Sequence, residues 1–166
     1  MVEYEIHSVE DSQLEQCLNT LHAAFGESAK LFGYTKESYP SSGAYVTLDD
    51  LREARSRGVH MYAACVQGNV AGYVQLEKMG DGVYAFRRFS VLPEYQKLGI
   101  GRALVSHCRE RATLYGGKKL TLIMINENKK LKSFYKSNGF SVVKVAKDSS
   151  YPFEYAIMEL DLTYDE

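Results

Sequence analysis

Apolar positions along this chain switch between helical and strand periods, and the switches mark its elements. Tyr4 to Val9 alternates as a first strand. Leu14, Cys17, Leu18, Leu21 and Phe25 then recur at helical spacing, with Asp11 or Ser12 placed to cap the helix. From Gly26 to Gly43 the chain is polar and aromatic-rich, and Tyr39-Pro40-Ser41-Ser42-Gly43 breaks regular structure. Leu48 to Ser56 reads as a short helix capped by Thr47 or Asp49. The period then drops to two. His60 to Val66 and Val70 to Glu77 flank Gln67-Gly68-Asn69, a hairpin signature. Gly80-Asp81-Gly82 makes a second turn before a strand over Val83 to Leu92, completing an antiparallel meander.

After a glycine-containing turn, a helix is predicted to about Tyr115, with Ile100, Leu104, Cys108 and Ala112 on one face and Gly116-Gly117 as its stop. Leu120 to Ile125 is continuously apolar, which predicts a central strand covered on both faces. Strand, helix and strand in succession favour parallel pairing of the two strands. Asn128 to Ser137 is a further helix, stopped by Asn138-Gly139. Phe140 to Val145 and Tyr155 to Leu160 close the chain as strands. The pattern therefore predicts an α/β fold with a mixed central sheet, antiparallel early and locally parallel in the middle, and helices on both faces.

Composition narrows the function classes. A chain of 166 residues fits one domain, 1–166, and can bury a sizeable core. The net charge of −1 gives no global attraction to nucleic acid or anionic membrane, and no apolar run approaches the length of a membrane span. Cys17, Cys65 and Cys108 are too few and too scattered for a disulfide framework or a zinc site, so no metal is expected. Reduced cysteines and an N-terminus without a basic-then-apolar leader favour a cytoplasmic location.

The informative segment is Gln96-Lys97-Leu98-Gly99-Ile100-Gly101-Arg102, which follows a strand and opens a helix. The first amides of a helix lack intrahelical partners, and the helix dipole adds partial positive charge there. Glycines permit close backbone approach, so the turn suits a pyrophosphate. Lys97 and Arg102 add charge beside it. The Gly-Lys-Ser/Thr of a P-loop is absent. Leu104 stands where a dinucleotide fingerprint needs its third glycine.

Gln96, Gly99 and Gly101 match the Gln/Arg-x-x-Gly-x-Gly/Ala signature, and the whole stretch from Arg88 to Leu104 resembles the strand, loop and helix of GNAT acetyltransferases. Asn128, Phe134-Tyr135 and Asn138-Gly139-Phe140 resemble the same family's Asn-x(6)-Tyr-x-x-x-Gly-Phe segment. Together the two matches span roughly residues 83 to 145. The resemblance implies a GNAT-like acyl-CoA N-acyltransferase fold and an acetyl-CoA-dependent N-acetyltransferase, with direct attack of an amine on the thioester. Partners would be acetyl-CoA and an amine acceptor, and a homodimer is admitted. Phe89, Ser90 and Val91 would line pantetheine and the acetyl carbonyl, and a backbone N–H near Val91 would polarise that carbonyl. Gln96, Lys97, Leu98, Gly99, Ile100, Gly101 and Arg102 would hold the pyrophosphate, and Asn128 would contact the cofactor. Tyr135 would be the general acid, with its neighbour Phe134 packed inward.

Departures from the family pattern carry information too. Val83 to Leu92 and Leu120 to Ile125 contain no Asp or Glu. Ile123 occupies the position where N-terminal protein acetylases of the family carry Glu, which disfavours that subtype. The base would be Glu77, Glu27 in the early loop, or a water chain. Arg87-Arg88 is unusual inside a strand, where alternation sends one to each face. The pair reads either as surface charge in a salt bridge or as recognition of an acceptor carboxylate or phosphate. Phe25, Phe32, Tyr34, Tyr39 and Tyr45 lie where the family builds its acceptor wall, and they could equally seal the core. A small-molecule amine is the leading acceptor. A peptide lysine or N-terminus, and a catalytically silent acetyl-CoA-binding module, are the alternatives.

Overall fold

A computed structural model describes residues 2–163. Seven strands form one sheet: β1 (Glu5–Ser8), β2 (His60–Val66), β3 (Asn69–Gly80), β4 (Val83–Val91), β5 (Lys119–Ile125), β6 (Ser141–Ala146) and β7 (Tyr155–Asp161). Their spatial order is β1-β2-β3-β4-β5-β7-β6. Every pairing is antiparallel except β4 with β5. The helices are α1 (Leu14–Phe32), α2 (Leu48–Ser56), α3 (Ile100–Leu114) and α4 (Lys129–Ser137). The mixed α/β architecture predicted from the apolar pattern is the one found.

Two apolar layers sandwich the sheet. On one face Ile100, Leu104, Cys108 and Ala112 of α3, all fully buried, pack with Leu120, Leu122 and Met124 of β5 and Tyr135 of α4. On the other, Leu14, Cys17 and Leu21 of α1 and Leu51 of α2 meet Met61, Ala63 and Tyr73. The stripe at every third or fourth position of α1 and α3 is what each helix buries.

Three local expectations are corrected. First, α1 does not stop near Phe25 but continues to Phe32, ending at Gly33, whose left-handed φ of 71° lets its amide reach the Ala29 carbonyl at 2.9 Å. A mid-helix Gly26 costs only about 1 kcal/mol, and Glu27 to Lys30 continue the helix past it. Its start is not capped by Asp11 or Ser12, which lie in a 3-10 turn where the Glu10 amide donates to Gln13 Oε1 at 2.9 Å. Second, β5 is covered on one face only. Ile123 is 51% exposed while Leu122 and Met124 are buried, because α1 packs on β3 and β4 and leaves that side of β5 open. Third, β4 is not a regular strand. Its pairing with β3 slips between Tyr73/Ser90 and Gln75/Arg87, inserting an extra residue at Arg88 and Phe89. Thr47 does cap α2, accepting the Asp50 amide at 3.1 Å.

Candidate active site

The centre of the sheet opens into a cleft. β4 and β5 pair only from Val83–Ala85 to Lys119–Thr121, and the register ends there. Past that point β4 runs through its bulge to Val91 with no strand partner on the β5 side among the described residues. Backbone groups at a sheet edge are free to pair with a ligand as an added strand would.

The turn Gln96 to Arg102 stands beyond the end of β4. Gly99 is the N-cap of α3 at φ 89°, and with no side chain it supplies no capping acceptor. Among the described residues, the amides of Gly99, Ile100, Gly101 and Arg102 find no acceptor; the first bond into the helix is Ala103 N–H to Gly99 O at 3.0 Å. No acidic residue occupies the first turn of α3. Unmet donors, the positive end of a 15-residue helix dipole, and exposed Lys97 and Arg102 give this turn the chemistry that suits an anion.

Not every residue of the turn is free to meet an anion. The Gln96 side chain donates to the Val91 carbonyl at 3.1 Å, bracing the loop against the end of β4. Ile100 is fully buried, so its backbone alone is available. Leu98 is exposed. Gly101 is needed for packing as well as approach: a Cβ there would lie 3.1 Å from the Phe89 ring and 3.2 Å from that of Phe134. Lys97 holds a left-handed φ of 64°, a strained state for a non-glycine residue.

Asn128 caps α4, its side-chain oxygen accepting the Leu131 amide at 3.2 Å, which leaves its NH2 group for another partner. Next to it, Asn126 donates to Glu154 Oε1 at 2.6 Å and accepts from Lys132, tying the end of β5 to the segment before β7. The sequence reading did not find that network, because its members are far apart in the chain.

The order of Phe134 and Tyr135 is the reverse of the expectation. Tyr135 is 5% exposed, whereas Phe134 is half-buried and stacks on Phe89 at 5.6 Å. The bulge carries the Phe89 ring outward over α4, and Phe134 covers it. Rings of Phe86, Phe89, Phe134 and Phe140 surround Tyr135 with centroids 5.5–6.1 Å away. Burial raises its pKa well above the ordinary phenol range, so the hydroxyl keeps its proton. That hydroxyl makes no hydrogen bond to a described residue.

Ser90 and Val91 are both buried, and Ser90 Oγ has no hydrogen-bond partner among the described residues. Ser90 lies opposite Tyr73, so its side chain shares the α1 face. Arg87 and Arg88 do not divide between the faces as alternation predicts. The bulge puts Arg88 at φ 53° and turns it toward Tyr39, Tyr73 and Asp50, on the side where Arg87 pairs with Glu77 at 3.5 Å. Glu77 also binds Arg57 at 2.8 Å, so both of its oxygens are engaged. Glu27 is exposed on α1 rather than in a loop.

The early aromatics divide between two kinds of packing. Tyr34 is buried and its hydroxyl lies 2.9 Å from Ser42 Oγ, a seal over α1. Tyr39 instead meets Tyr151 at 5.5 Å and Phe153 at 5.4 Å, joining the early loop to the one between β6 and β7. The three cysteines are buried and free. Among the described residues, no group of His, Cys, Asp and Glu is placed to hold a metal, and no helix is long and apolar enough to cross a membrane.

The model of the acetyltransferase (GNAT) family matches residues 18–140. No curated protein matches the sequence. Among solved structures, the PaiA N-acetyltransferase of Thermoplasma acidophilum in complex with coenzyme A is similar, with TM-score 0.80, 22% identity, and 96% of this chain and 99% of that one covered. The ribosomal-protein-S18-alanine N-acetyltransferase of Escherichia coli gives TM-score 0.76 at 17% identity over 99% of this chain and 97% of that one. YncA of Salmonella typhimurium, solved with its cofactor acetyl-CoA, gives TM-score 0.73 at 16% identity over 99% and 96%. At these identities the structures speak for the fold alone.

Proposed function

The chain belongs to the acetyltransferase (GNAT) family, and from that premise we propose that it is an acetyl-CoA-dependent N-acetyltransferase acting on a small-molecule amine. The observation that carries the reading is the cleft where β4 leaves β5, with the unmet amides of Gly99 to Arg102 at its mouth. A strand edge and an anion cradle in line suit a pantetheine arm followed by a pyrophosphate. Acetyl-CoA, which the T. acidophilum and S. typhimurium relatives hold whole or as coenzyme A, supplies an acetyl group on a thioester.

In this reading the amides of Gly99 to Arg102, with Lys97 and Arg102, hold the pyrophosphate. The free edge from Phe89 to Val91 aligns the pantetheine, and a backbone N–H near Val91 polarises the acetyl carbonyl. The amine nitrogen bonds to the carbonyl carbon, the carbon–sulfur bond breaks, and the amine proton leaves through water. Water is the base of choice because Glu77 is locked between two guanidinium groups and Glu27 stands at the helix surface. Tyr135 gives its proton to the departing sulfur, and its aromatic cage keeps that proton in place at working pH. The buried cysteines take no part.

The test has two steps. Acetyl-CoA should raise the melting temperature by mass action. Free CoA should then be released with at least one member of a panel of polyamines, amino acids, aminoglycosides and peptides. Absence of any thermal shift with acetyl-CoA would sink the cofactor assignment. A shift without turnover on any amine would leave a binding module.

A further inference from the structure

The two adjacent arginines of β4 are in different situations. Arg87 is half-exposed and its charge is met by Glu77. Arg88 is partly buried and makes no salt bridge or hydrogen bond with any described residue. The carboxylate that acts on it electrostatically, Asp50, has one oxygen committed to the Thr47 amide at 2.8 Å as part of the α2 cap. Burial costs the Arg88 guanidinium hydration, which lowers its pKa from the ordinary value without neutralising it. A cation partly withdrawn from water without an ion-pair partner is costly, and an anionic ligand would offset that cost.

The backbone adds to that cost. Arg88 sits at φ 53°, where a side chain is strained. A glycine would adopt this angle freely, yet the chain has an arginine there. The bulge swings the side chain to the face of the sheet that carries Tyr73, within electrostatic reach of Tyr73 and Tyr39. Two residues on, Ser90 is 2% exposed on the same face, and its hydroxyl has no partner among the described residues. Tyr39 continues into the Tyr151 and Phe153 rings of the opposite loop. A guanidinium without an ion-pair partner among the described residues and a buried, unmet hydroxyl thus share one face near the end of β4, with the Tyr39 cluster within electrostatic reach of the guanidinium. Arg88 precedes Val91 by three residues, about 10 Å at most along an extended strand.

We propose that Arg88 is the specificity determinant of the acceptor pocket and that the acceptor is an amine carrying an anionic group, a carboxylate or a phosphonate, which the guanidinium receives as a bidentate partner. The inference rests on the proposed acetyltransferase function. Planar guanidinium and carboxylate or phosphonate match in geometry and charge, and the Tyr39 side of the pocket accommodates an apolar or aromatic spacer between the anion and the amine.

The experiment compares matched amines with and without the anion: tyrosine against tyramine, 4-aminobutyrate against butylamine, and 2-aminoethylphosphonate against ethylamine. Wild type should favour the anionic member of at least one pair by about tenfold or more in kcat/KM, mainly through KM. Arg88→Met should collapse that ratio, Arg88→Lys should retain part of it, and Arg87→Met should leave it unchanged. Acetyl-CoA affinity is measured on each variant, which reports folding and the cofactor site independently. A wild type that binds no acetyl-CoA defeats the underlying function. Normal acetyl-CoA binding with no turnover of any anionic amine, turnover confined to neutral amines, or a preference that survives Arg88→Met overturns the role of Arg88.

Discussion

Replacing Tyr135 by Phe removes one oxygen from a side chain whose ring contacts are otherwise complete. The ring is held by Phe86, Phe89, Phe134 and Phe140, and none of those contacts involves the hydroxyl. The hydroxyl donates to no described residue, so its loss should change stability by less than about 1 kcal/mol. For a chain of this size that corresponds to about 3 °C or less in Tm. The chemical cost should be much larger. Loss of a general acid typically costs about 10²–10⁴-fold. The lower end, about 10², is expected here because a thiolate is already a tolerable leaving group. Burial holds the phenol well above its ordinary pKa, so Tyr135 stays protonated and wild-type kcat should show no alkaline fall from it up to about pH 10. The assay is steady-state CoA release on a responsive amine over pH 6 to about 10, paired with acetyl-CoA affinity, which should be unchanged. Phe134→Ala is the contrast: it loses the stack on Phe89 and should cost about 1–3 kcal/mol of stability. Full kcat in Tyr135→Phe, with chemistry rate-limiting, would refute the acid role and leave the tyrosine as packing.

Other substitutions separate the remaining parts. Gly99→Ala meets open space but must hold φ 89°, so it should cost about 1–2 kcal/mol and raise the acetyl-CoA Kd about tenfold; unchanged affinity in a titration would remove the anion role from this turn. Glu77→Gln breaks two partly exposed ion pairs, each worth at most about 1 kcal/mol, and should leave kcat within about threefold; a loss of 10² or more would restore Glu77 as the base. Cys17 is pushed up to about 12 by burial, and Cys65 and Cys108 are raised by the same cause. All three should therefore resist alkylation in the native state at pH 8, and a Cys-to-Ala series should keep turnover; rapid modification coupled to inactivation would contradict this. At position 88, Gly should be more stable than Ala by about 1 kcal/mol, the reverse of the usual order inside a strand; thermal melts of Arg88→Gly and Arg88→Ala decide it.

Most of the architecture was legible because periodicity reports burial on one face. Ile100, Leu104, Cys108 and Ala112 were placed on one stripe from spacing alone, and all four are fully buried. The glycine turn was legible for a similar local reason: Gly99 needs its positive φ to start α3. Errors arose where the outcome depends on distant neighbours. Apolar content alone could not reveal that the side of β5 carrying Ile123 lacks a covering helix, since that depends on where α1 lands. Tyr135 and Phe134 exchanged their expected burial because Phe89, displaced by the bulge, offers Phe134 a partner at the surface of the cleft.

The bulge itself shows why a site can be hidden inside a correctly predicted strand. From Val83 to Val91 nothing interrupts the strand-like composition, and no glycine marks the extra residue. Its presence is a property of the pair: β3 advances two residues from Tyr73 to Gln75 while β4 advances three from Arg87 to Ser90. One inserted residue has two consequences at once. It lies just past the point where β4 loses β5, and so bends the strand at the cleft. It also rotates the following side chains out of strict alternation, which brings Arg88 to the face of Tyr39 and Tyr73 and carries Phe89 toward Tyr135. The visible trace in the sequence is the Arg87-Arg88 doublet, since strict alternation would send one arginine to each face of a sheet that is covered on both sides. The proposed cofactor side and the proposed acceptor side would thus be shaped by the same local slip, and the strain held at a non-glycine residue is accounted for if both are needed together.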